Sequence, residues 1–210
     1  MNTPQQSLEE LQHIKRIMER SSRFISLSGL SGIAAGICAL GGAWFASQKI
    51  KCWVKGDCQL SRLLGTEGDH LINDLFWIAT ITFIAAFISA FFFTYLRSKK
   101  NGTAIWGATT MRLFWNTIIP IAVGGALLIK MMQLGEYQLV PPGCLLFYGL
   151  ALVNASKYTL SEVRYLGYGQ LVLGLVNLWF IGYGLQFWAM GFGVLHIVYG
   201  TLMWWKYERK

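Results

Sequence analysis

The chain has 210 residues and a formal net charge of +8; 54% of it is hydrophobic, 15% aromatic and only 13% charged, with 23 glycines. An ordinary soluble domain needs charged outer faces on its helices, so this balance excludes one. The basic residues lie at the ends of apolar runs rather than along one stripe, which excludes a nucleic-acid-binding surface and leaves an all-α, polytopic membrane protein.

The opening MNTPQQSLEE is acidic where a cleavable signal would be basic, so the first apolar run is expected to stay in the protein. Residues 1–22 are read as a cytoplasmic segment built on a short amphipathic helix from Ser7 to Arg20. Ser7 and Glu10 stand in capping-box spacing, and Leu8, Leu11, Ile14, Ile17 and Met18 recur at helical intervals. With Lys15, Arg16, Arg20 and Arg23 beside that stripe, it suits an anionic membrane surface, a partner, or the bundle itself.

The first span is expected over 24–47. Ser28, Gly32 and Gly36 recur every fourth residue, and Ser31, Ala35, Ala39 and Ala43 form a second small row beside them. Lipid tails give helices no hydrophobic reason to associate, so small residues mark where backbones approach closely. Leu30, Ile33, Ile37, Leu40 and Trp44 occupy the other side and suit lipid.

Residues 48–73 read as a periplasmic loop holding Cys52 and Cys58, whose spacing on an oxidising side suits a disulfide. His70 and the nearby acids have no metal-ligand spacing. The remaining spans are expected at 74–96, 112–132, 142–155, 163–181 and 187–205, completing a domain over 23–206. Pro120 frees a backbone carbonyl in the third, where Arg112, Asn116 and Gly124 share its face. Pro141 and Pro142 suit the first turn of the fourth. The short GYGLQ link makes the last two spans antiparallel.

Thirteen of the 18 lysines and arginines fall on the side of the two chain ends, so both termini are expected in the cytoplasm. Odd spans open on Arg-bulky triplets (Arg23-Phe24-Ile25, Arg112-Leu113-Phe114, Arg164-Tyr165-Leu166) and even spans close on aromatic and basic residues. Six helices arranged as three antiparallel hairpins would produce this pattern, as would the ordinary enrichment of such residues at inner-leaflet helix ends.

Polar residues inside the membrane are few. His196 shares a face with Ala189, Gly193 and Gly200, and Gln170 and Asn177 share one with Gly167 and Gly174. A cluster of Gln170, Asn177 and His196 is therefore the candidate polar site, with His196 expected to donate to Gln170, Asn177 or a backbone carbonyl. The spans contain no second histidine for a haem and no paired carboxylates, so no catalytic, cofactor or metal site is assigned. The expected role is non-enzymatic, through association with itself or with a membrane partner in the lipid. Helix packing is assigned to Ser28, Gly32, Ala35, Gly36, Ala39, Gly193 and Gly200. The alternative is a small-solute transporter or channel with a polar path near Asn116, Gln170, Asn177 and His196.

The last hairpin, residues 167–207, GYGQLVLGLVNLWFIGYGLQFWAMGFGVLHIVYGTLMWWKY, loosely resembles the glycine-spaced hairpins of HdeD-like acid-resistance membrane proteins, which are built of three such units. The N-terminal LQHIKRIMERSSRFISLSGLSG resembles the start of a group of bacterial six-span inner-membrane proteins with no assigned activity. Both resemblances imply a bacterial inner membrane, and neither implies a reaction.

Overall fold

The computed structural model describes residues 28–55, 67–100 and 107–209. The expected amphipathic helix of residues 7–20 and the start of the first span lie outside them. The described residues are helical apart from short turns, and they include no strands. In chain order they form α1 Gly29–Lys55, α2 Glu67–Lys100, α3 Ala108–Gln133, α4 Val140–Ala155, α5 Val163–Trp179, α6 Gly184–Trp188, a π-helical segment Ala189–Leu195, and α7 His196–Tyr207. Short 3-10 turns at Tyr137–Leu139 and Ile181–Tyr183 lead into α4 and α6.

Among the described residues five helices are long and apolar enough to cross a bilayer: Gly29–Lys55, Leu71–Lys100, Ala108–Gln133, Tyr137–Ala155 and Ile181–Tyr207. The expected fifth span, α5, has 17 residues, or about 25 Å of helix, somewhat short of a hydrocarbon core. The helices also run further than the apolar runs did. α1 continues to Lys55 and α2 starts at Glu67, so much of the expected loop over 48–73 is helical. Helical hydrogen bonding is internal to the backbone and does not stop where the apolar residues stop, and lysines at a span end reach water along their own stems.

α1 is central: it packs against α2 on one side and against the π segment and α7 on the other. α4 is the second hub and carries α3, α5 and α6. The pairs α1–α2 and α3–α4 pack as consecutive helices, whereas α5 lies mainly on α4 and the last span mainly on α1. Outward surfaces are apolar, with Trp77, Ile81, Phe83, Phe87, Ile129 and Val172 all more than half exposed. Water would not tolerate so much exposed apolar area, and lipid does.

Close backbone approach holds a partner helix against each hub. A Cβ at Gly36 would lie 2.7 Å from the Gly193 carbonyl oxygen and from Ile197 Cγ1, and one at Gly200 would lie 2.5 Å from the Gly29 carbonyl oxygen. Between α4 and α5, Gly149 and Gly167 face each other, each 3.0 Å from the other's carbonyl oxygen on the same measure. α3 ends in a Schellman motif. Gly135 takes φ +82°, Glu136 N–H donates to Met131 O at 3.0 Å, and Gly135 N–H donates to Met132 O at 3.1 Å.

A buried histidine held by three helices

The polar centre of the bundle is built on the π segment, whose seven residues AMGFGVL include Gly191 and Gly193. Such segments are rare, and this one is followed at once by His196, the first residue of α7. The buried ring of His196 is engaged on both nitrogens, with Nδ1 3.0 Å from the Gly191 carbonyl oxygen and Nε2 2.8 Å from the Tyr148 hydroxyl on α4. A carbonyl only accepts, so Nδ1 carries the proton and donates to Gly191; Nε2 then accepts from Tyr148. The ring also stacks with Phe192 and Tyr148, at centroid separations of 6.0 and 5.5 Å.

Gln170, fully buried on α5, donates from Nε2 to the same Gly191 carbonyl at 2.8 Å. One backbone oxygen thus collects donors from two helices, and a Cβ at Gly191 would lie 2.5 Å from Gln170 Oε1. Asn177 is fully buried too but sits seven residues, about 10 Å, further along α5, where Nδ2 donates to Phe180 O at 3.0 Å and closes the helix end. Gln170 and His196 therefore meet and Asn177 stands apart. Gln170 Oε1, Asn177 Oδ1 and the Tyr199 hydroxyl are buried without a hydrogen-bond partner.

Asn116 belongs to a separate contact. Pro120 lacks the N–H that would bond the Asn116 carbonyl, and Asn154 Nδ2 on α4 donates to that oxygen at 2.8 Å. The Asn116 amide itself donates to Arg112 O at 2.8 Å. Of the assigned packing residues, Ser28, Gly36, Ala39, Gly193 and Gly200 are buried, and Gly32 and Ala35 are half-buried. Cys52 lies near the end of α1 and is disulfide-bonded, while Cys58 lies outside the described residues.

Two ionic contacts tie helix ends together. Glu208, just past α7, pairs with Arg97 of α2 and accepts from the Gly29 N–H at 2.5 Å and from the Ser28 hydroxyl at 3.2 Å. A carboxylate at the start of α1 satisfies a backbone donor left open there and meets the positive end of the helix dipole. Glu162, preceding α5, accepts from Lys206 Nζ at 2.5 Å and from the Tyr207 hydroxyl at 2.8 Å. Burial pushes its carboxyl up, but those two hydrogen bonds outweigh burial and bring it down to about 2.

Tyr148, Asn154, Arg97 and Glu208 escaped sequence reasoning. The only signal for Asn154 was a proline four residues beyond Asn116, which announces a free carbonyl without naming its partner. Among the described residues no three histidine, cysteine or acidic side chains come together as metal ligands. Comparison with protein-family models, with curated proteins and with solved structures finds no match to this chain.

Proposed function

We propose that this chain is a six-span protein of the bacterial inner membrane that acts without chemistry of its own, by associating with itself or with another membrane protein. The observation that carries the reading is α2. It packs mainly on α1 and leaves Phe83, Phe87, Ile88 and Phe91 each more than half exposed, an aromatic face on a helix that adds little to the bundle's interior. The buried polar groups support it as well. His196 Nε2, the Gln170 amide and the Asn116 carbonyl are taken up in contacts between helices, and His196 Nδ1 in one within the last span, which favours a structural role over a polar path for solutes.

The six-span topology rests on α5 crossing with help from its flanking turns. The distribution of Lys and Arg supports cytoplasmic termini, and the meeting of the α2 end, the α1 start and Glu208 at one end of the bundle supports their lying on the same side. A photoreactive side chain placed at Phe83, Phe87 or Phe91 in intact membranes should give a protein adduct of discrete mass. Adducts to lipid alone at all three positions would overturn the reading.

A further inference from the structure

Small side chains do two different things along α1. Near its start Gly29, Gly32 and Gly36 bring the last span into contact, whereas further along, past the close approach of Gly42 to Thr82, Ala43 and Ala46 leave a cavity of about 340 Å³ between α1, α2, α4 and α6. Ala46 and Ile50 of α1, Leu75 and Ala79 of α2, Cys144 and Trp188 line it, and its wall is almost wholly apolar. It lies within the membrane-crossing helices, at the opposite end of the bundle from Glu208, in a molecule whose outward surface is apolar. An apolar groove in that setting suits a hydrocarbon chain.

The rim identifies the rest of the molecule. Lys49 and Asp74, each next in sequence to a lining residue, Ile50 and Leu75, pair at 2.8 Å with about half of each side chain exposed. An exposed pair of this kind adds little to stability. Its ammonium has further donors and its carboxylate further lone pairs to offer a second ion pair laid across it. Those charges are complementary to a headgroup that carries both a phosphate and an ammonium able to donate hydrogen bonds. We propose that this groove binds one phosphatidylethanolamine molecule, its acyl chain against Ala46 and Ala79, its phosphate at Lys49 and its ammonium at Asp74.

Native mass spectrometry of the delipidated protein, offered phosphatidylethanolamine, phosphatidylcholine or phosphatidylglycerol with identical acyl chains, tests this. The parent should retain one phosphatidylethanolamine about five-fold better than either competitor, the scale of one charge contact at a membrane surface. Ala46→Phe should lower retention of all three lipids, whereas Ile81→Phe, on the outer face of α2, should leave it unchanged. Asp74→Asn should abolish the preference over phosphatidylcholine; it alters only an exposed group, so it keeps the test decisive if Ala46→Phe fails to fold. Equal retention of phosphatidylethanolamine and phosphatidylcholine by the parent would overturn the headgroup assignment, and a folded Ala46→Phe that retains lipid like the parent would overturn the groove.

Discussion

Replacing His196 separates a structural knot from a chemical centre. In His196→Leu the Gly191 carbonyl keeps its hydrogen bond from Gln170, at 2.8 Å, so it is not stranded. The Tyr148 hydroxyl loses the ring nitrogen 2.8 Å away, and a buried donor left unmade costs about 1 to 3 kcal/mol. Interhelical side-chain bonds in membranes fall towards the lower end, but lost stacking on Phe192 adds about 0.5 kcal/mol or more, so a total near 2 kcal/mol is expected. His196→Gln keeps an acceptor for Tyr148 and a donor for Gly191 and should cost less than about 1 kcal/mol. Tyr148→Phe added to His196→Leu should recover about 1 kcal/mol, because removing both polar partners leaves nothing unpaired. Reversible unfolding in mixed detergent micelles measures all four proteins. The reasoning fails if His196→Gln is as costly as His196→Leu, or if Tyr148→Phe gives the leucine variant no relief.

Gly36→Leu, which drives a side chain into the Gly193 carbonyl and Ile197, should lower thermal stability measurably, whereas Gly125→Ala, with nothing within 4 Å, should match the parent in the same melt. Asn154→Leu strands the Asn116 carbonyl and should cost about 1 to 3 kcal/mol in the parent but clearly less in Pro120→Ala, whose restored N–H takes over that oxygen; a double-mutant cycle reads the difference. Glu162 titrates lower when folded, about 2 against an ordinary 4.5, so its contribution is complete above pH 5 and disappears as pH falls towards 2. Glu162→Gln should therefore flatten that part of the stability profile and change little at pH 2.

The sequence made the membrane class legible because the apolar runs are long and the basic residues cluster at their ends. It also picked out the small face of α1, since glycine and serine at four-residue spacing have few other uses in a lipid-facing helix. It could not say which helix would meet that face: α1 has its glycines against Gly193 and Gly200, far along the chain, rather than against its hairpin neighbour alone. The helices run past the expected span ends, to Lys55 and from Glu67, because hydropathy marks where lipid ends and not where a helix does. Gln170 and His196 were paired from depth and face alone. Asn177 was grouped with them for the same reason, but two helical turns carry it to the end of α5. The π segment and the Tyr148 partner had no counterpart in any periodicity, since both depend on how α4 and the last span are packed.

What surrounds α2 in the membrane decides whether the protein works by association. Particles cut from native membranes with an amphipathic polymer, without detergent, keep the neighbours of a 23.6 kDa chain in place. Their polypeptide mass, measured on the purified particle, is expected to be at least two copies of the chain or one copy with a partner in fixed ratio, and to fall when Phe83 and Phe87 are replaced by alanine. A single chain per particle, unchanged by those replacements, would contradict the proposal that the protein works by association.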